Sequence, residues 1–146
     1  MTWFQLIRRF WNPAQLPQRP QRPQRPMVPQ VPTSALVVDL LERHNAARLK
    51  VGLTAFTLSA SLVNEAQAWA EHMAATGELA HSQIGRLMMD HGAVAENIAS
   101  GQPTTSHVMM AWLASTGHRA NILGRYRVAG FGECGGYWCA LFGDHG

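Results

Sequence analysis

The residues of this chain that can do chemistry are few: two cysteines, seven histidines and nine carboxylates. The cysteines lie close together, in Cys134-Gly-Gly-Tyr-Trp-Cys139. A metal-binding pair usually shows tighter spacing and further Cys or His partners nearby. Gly135-Gly136 instead predicts a hairpin bend. With residues 135–138 as the loop, the two thiols face each other across the strands, which permits a disulfide. A bridge closing so short a loop adds little chain entropy. Free thiols are the other reading, and the redox compartment stays open. Ser82 directly follows His81, a hydroxyl beside a base, but no third orienting group is evident and a serine hydrolase is not expected. His72 and His107 fall on presumed helices and read as surface. Met88-Met89 and Met109-Met110 read as core filler before lipid groove.

The elements that must position these groups follow from periodicity. A helix is expected after Pro32, with Thr33 or Ser34 as N-cap. In it Leu36, Val37, Leu40, Leu41, His44, Ala47 and Val51 recur at helical spacing, and Gly52 ends it. A second helix follows Ser59 or Ser61, with Leu62, Ala66, Trp69, Ala70 and Met73 as its buried stripe and Gly77 just past its end. Residues 78–93 lack a clear period and contain Gly85 and Gly92, so they read as a loop. His91 is then an exposed loop histidine before a cleft residue. Val94–Ala99 reads as a short strand. A third helix spans Thr105–Ser115, with Val108, Met109 and Trp112 inward and Pro103 ahead of its start. His118–Leu123 makes one further turn. Tyr126–Glu133 and Tyr137–Phe142 read as a β-hairpin. This order predicts an α+β domain, helices packed against an antiparallel sheet.

Charge divides the chain. Residues 1–34 carry Arg8, Arg9, Arg19, Arg22 and Arg25 and no acid, whereas the remainder holds seven basic and nine acidic side chains, a net of −2. The sequence pI near 9.4 therefore describes the N-terminal segment. A nucleic-acid partner is not expected, because phosphate binding needs clustered Lys and Arg on the folded part. No run of about 18 apolar residues occurs, so no membrane-spanning helix is expected. Seven of the eight prolines precede residue 33, and residues 18–26 read Gln-Arg-Pro three times. Residues 12–34 are thus a Pro/Gln/Arg-rich linker, extended at about 3.1 Å per residue. In residues 1–11, Trp3, Phe4, Leu6, Ile7, Phe10 and Trp11 share one helical arc opposite Gln5, Arg8 and Arg9. Aromatic residues opposite arginine fit a membrane interface. Docking on a protein, or no structure, are the other readings. The arginines follow only a few apolar residues, unlike a cleaved signal peptide.

Residues 35–146, the remaining domain, contain five motifs in order. His44-Asn45-Ala46-Ala47-Arg48 is similar to the HNxxR helix signature of the CAP superfamily, the cysteine-rich secretory, antigen 5 and pathogenesis-related 1 proteins (SCP-like domains). Leu79-Ala80-His81-Ser82 resembles its histidine loop. Ala95-Glu96-Asn97-Ile98-Ala99 resembles its GENIA strand, with Ala95 in place of Gly. Gly117-His118-Arg119-Ala120-Asn121-Ile122-Leu123, after Trp112, resembles the bacterial GHRxNIL form. Gly130-Phe131-Gly132 and Gly136-Tyr137-Trp138 match the closing hairpin. The resemblance implies an α-β-α sandwich and a location outside the cell or at its surface.

It also implies a cleft, built in the family from two histidines and up to two glutamates. The matching residues are His81, Glu96 and His118. The second glutamate has no counterpart in Trp112-Leu-Ala-Ser-Thr-Gly117, and Ser115 cannot replace a carboxylate as base. Neutral imidazoles suit Zn2+ or another divalent transition metal. Two histidines with open positions make a weak, exchangeable site. Glu96 would complete the metal set, stand behind an imidazole as its hydrogen-bond partner, or act as base on a metal-bound water. The alternative is a polar cluster that stiffens the cleft. His44 and Asn45 are expected to stitch the first helix to neighbouring loops, and Arg48 to pair with an acid or cap carbonyls. Two functions remain: a surface-associated binding module with a metal, lipid or protein ligand, or a metal-assisted hydrolase using Glu96 catalytically.

Overall fold

The computed structural model describes residues 34–92 and 94–145. The expectations for residues 3–11 and the linker lie outside the described residues. The elements are α1 (Ala35–Leu49), β1 (Thr57–Leu58), α2 (Ala60–Thr76), α3 (Ile84–His91), β2 (Val94–Ser100), α4 (Thr105–Ala114), α5 (Thr116–Ile122), β3 (Val128–Cys134) and β4 (Tyr137–Gly143). Ser34, Ser59 and Thr104 cap α1, α2 and α4, each side chain accepting a backbone N–H three residues on. Gly77 ends α2 in the left-handed region at φ 71°, where only glycine sits without strain.

The sheet runs β1-β3-β4-β2, with β3, β4 and β2 antiparallel and the two-residue β1 parallel to β3. It is therefore the expected antiparallel sheet with one short parallel strand added. Alternation along β4 divides the core. Trp138, Ala140 and Phe142 pack with residues of α1, α4 and α5, while Cys139 and Leu141 pack with residues of α2 and α3. The result is helices on both faces of a sheet, the α-β-α sandwich. Helix α2 lies very close to β3: a Cβ on Gly130 would collide with the backbone of Leu62 and Val63, and one on Gly132 with that of Gln67.

Four expectations are corrected. Residues 84–91 are helix α3, not loop, and His91 is buried in its last turn rather than exposed. Its Nδ1–H donates to the His145 carbonyl at 3.1 Å. The hairpin turn is the two residues Gly135 and Gly136, at φ 56° and 83°, positive at both as a tight hairpin turn requires. That register pairs Cys134 with Tyr137 and Cys139 with Gly132, so the cysteines are diagonal rather than opposite. Diagonal pairs lie about 7–8 Å apart, beyond the reach of a disulfide, and both thiols are free. Of the methionine pairs only Met109 is core; Met88, Met89 and Met110 are exposed.

Two buried polar side chains hold α1. Arg48 is 1% exposed and meets no carboxylate. Its guanidinium donates to the carbonyls of Thr54 (2.8 Å), Ile122 (2.8 Å), Gly124 (2.7 Å) and Tyr126 (3.1 Å) and lies over the Phe56 ring. Of the two expected roles it takes carbonyl capping. Asn45 exchanges both amide bonds with the Phe56 backbone. His44 is fully buried, its Nδ1–H donating to the Leu40 carbonyl at 2.7 Å while Nε2 has no partner. Trp112, Phe131 and Phe142 surround it.

Burial, against the Leu40 bond and with the help of the Arg48 charge, pulls His44 down from 6.5 to about 4. A histidine whose folded value is depressed stabilises fully above its unfolded value, and the stability is lost as pH falls towards the folded one. Denaturant melts between pH 6.5 and 4 should therefore show a loss of roughly 3 kcal/mol from this residue. His44→Leu should flatten that part of the profile; an equally steep decline in the variant would contradict the assignment.

Candidate metal-binding cleft

The cleft forms where edge strand β2 meets the histidine loop from one side and α5 from the other. Glu96 projects from β2 with its side chain fully shielded, while the His81 side chain is 60% exposed. His81 Nδ1 and Glu96 Oε1 are 2.7 Å apart, and the same oxygen accepts the Ser82 backbone N–H at 3.0 Å. The second oxygen receives the Cys139 thiol at 3.9 Å. The loop bearing His81 is held by Trp69, whose indole N–H donates to the Ala80 carbonyl at 2.8 Å.

On the other side Asn121 of α5 donates its side-chain amide to the Glu96 carbonyl (3.3 Å) and to Asn97 Oδ1 (2.9 Å). Asn97 in turn donates to the carbonyl of His118 at 3.0 Å. Two asparagines thus lock the helix carrying His118 to the strand carrying Glu96. These partners were not singled out as site residues, although both stand inside motifs that were. Burial first, and then the nearby charge of His81, hold His118 below the ordinary histidine range. The two imidazoles therefore sense one another electrostatically.

The chemistry of this arrangement is asymmetric. Glu96 fixes the His81 ring and leaves Nε2 as its outward nitrogen. Its Oε1 already accepts two hydrogen bonds, so the carboxylate sits behind His81. Among the described residues no three His, Cys, Asp or Glu side chains are grouped to hold a metal ion. That leaves the imidazoles of His81 and His118 as the candidate donors. Burial and the Glu96 carboxylate raise the Cys139 thiol well above its usual value, so it stays protonated and is a poor ligand. His91 stays outside this set, as do His72, stacked on Trp69, and His107, bonded to Thr104.

Comparison with known proteins follows the same outline. A family model, the cysteine-rich secretory protein family (CAP), matches residues 41–137, more than half of the chain. The uncharacterized protein YkwD of Bacillus subtilis is 30% identical over 121 residues, 75% of this chain and 47% of the relative. The chain thus spans about half the length of that relative. Among solved structures, an extracellular protein containing a SCP domain from Bacillus anthracis superposes at TM-score 0.70 with 18% identity, over 75% of this chain and 40% of that one. A cysteine-rich secretory protein of Staphylococcus aureus gives 0.68 and 19%, over 80% and 40%. An outer surface protein of Borrelia burgdorferi gives 0.66 and 19%, over 75% and 92%.

The electrostatic coupling is measurable. In proton NMR titrations His118 should titrate below the usual histidine value, and His81→Asn, which removes the repelling charge, should move it upward. An unmoved midpoint would show that the imidazoles are not neighbours.

Proposed function

This chain belongs to the cysteine-rich secretory protein (CAP) family, and from that membership we propose that it is a binding module working outside the cell or at its surface. Its cleft takes a divalent transition metal weakly through His81 and His118, with a lipid or protein as further ligand. The observation that carries this reading is the state of Glu96: shielded from solvent, with one oxygen accepting both His81 and the Ser82 N–H. Such a carboxylate orients an imidazole and raises its basicity as a ligand. It is poorly placed to take a proton from water, and among the described residues no further carboxylate is grouped with the two histidines. Hydrolysis with Glu96 as catalytic base is accordingly the weaker reading. The extracellular and outer-surface relatives support the location.

A metal that binds only the folded state stabilises it, by about 2.7 kcal/mol at a hundred times the dissociation constant, on the order of 10 °C in melting temperature for a domain this size. Zn2+ should produce such a rise at pH 7.5. The rise should fade below about pH 6, where imidazoles protonate, and disappear in His81→Ala and in His118→Ala. A full zinc response in either variant would remove these residues from the site.

The surface association rests on residues 3–11, reversibly held on anionic lipid, with residues 12–34 as spacer. Each arginine near such a surface contributes about 1 kcal/mol, reduced by salt. The full chain should co-sediment with anionic liposomes at low salt and less at high salt, and a chain starting at Thr33 should stay in solution. Equal sedimentation of the two would leave the segment as a protein-docking arm instead.

A further inference from the structure

On the α2–α3 side of the molecule, behind the Ser82 strut, lies a hollow that the metal cleft does not use. It consists of two adjoining cavities of about 180 and 340 Å3 that share Glu65, Trp69, His72, Ser82 and Leu87. The larger volume falls within the range of small-molecule sites. Its floor is apolar: Leu87 is 6% exposed and Leu141 of β4 is 1% exposed. Its wall is aromatic and already fixed. The Trp69 indole is anchored by its bond to Ala80 and stacks on His72 at 4.6 Å between ring centres. Glu65, Trp69 and His72 stand at i, i+4 and i+7 on α2 and share one face.

Three polar side chains around this hollow lack protein partners among the described residues. Glu65 on α2 and Arg86 on α3 both line it, and among the described residues neither forms an ion pair or side-chain hydrogen bond. The Ser82 hydroxyl oxygen is buried and has no hydrogen-bond partner. Buried polar groups are ordinarily satisfied, so this hydroxyl calls for one. One anion and one cation therefore flank an apolar floor and a rigid aromatic wall.

We propose that this hollow is a second ligand site, and that it takes a small zwitterion with an apolar body, the class of the free apolar amino acids. Glu65 receives the ammonium, Arg86 receives the carboxylate, and the aliphatic body lies on Leu87 and Leu141 against Trp69. The charge pattern selects the zwitterion over a fatty acid or an alkyl amine, each of which leaves one of the two charges unanswered. The fixed indole lowers the ordering cost of binding. The site shares Ser82 with the cleft but none of its imidazoles, and it stands or falls independently of the metal reading.

The test is NMR of the full chain labelled with 15N, following the Trp69 indole N–H, assigned by its loss in Trp69→Phe. L-leucine at millimolar concentration should shift that signal. N-acetyl-L-leucine, L-leucinamide and glycine should each bind at least about tenfold more weakly, a difference of about 1.4 kcal/mol. Glu65→Gln should reduce leucine binding to the level of the N-acetyl form, and Arg86→Gln to that of the amide. Both residues are exposed, and unchanged amide chemical shifts away from the hollow, with an unchanged melting temperature, would confirm that each variant is folded. No shift with leucine, equal binding of the blocked forms, or wild-type binding by both variants would overturn the proposal.

Discussion

One guanidinium holds the arrangement together. Arg48 leaves α1, is buried without a carboxylate, and meets four carbonyls from the loop before β1 and from the segment that closes α5. A lone buried charge is costly unless its donors are satisfied, and here the planar fork satisfies them across three parts of the chain. Burial pushes its pKa down, yet arginine stays charged in proteins. Lysine, a point charge on a flexible stem, could not serve these acceptors at once. Because Ile122 and Gly124 mark the end of α5, this contact also sets where His118 stands.

The opposite layer is fixed by absence of side chains. Gly130 and Gly132 let α2 approach β3 more closely than any Cβ would allow. That approach sets Trp69 over the histidine loop, and Trp69 holds Ala80 beside His81. The cleft is therefore triangulated: Arg48 and the two asparagines govern the His118 side, the glycines and Trp69 govern the His81 side, and Glu96 lies on the strand between. Glu96 holds the His81 ring, which is 60% exposed, and the remote packing supports the loop that carries it.

Much of this was legible in the sequence. The caps Ser34 and Ser59, the glycine stop at Gly77 and the inward face of α4 carry local signals that the fold obeys. The His81–Glu96 pairing came from motif resemblance, since nothing in spacing alone links residues fifteen apart across a loop and a helix. Helix α3 was hidden because only Leu87 and His91 of its eight residues are buried, too few to show a period between Gly85 and Gly92. The cysteine geometry depended on whether the hairpin turned over two residues or four, and a change of that size turns a facing pair into a diagonal one. The ligand hollow was illegible because Glu65 and Arg86 come from different helices.

The strand that bears Glu96 is also the outer margin of the sheet, the position at which a foreign strand would add. Asn121 occupies the Glu96 carbonyl with a side-chain amide, and the opposite margin, β1, is only two residues long. Short or covered margins are how sheets resist templated self-association. The same asparagine that seats the histidine helix thus covers one acceptor on the open side of the cleft strand, so substitutions there would be felt in solubility and aggregation kinetics as well as in ligand binding.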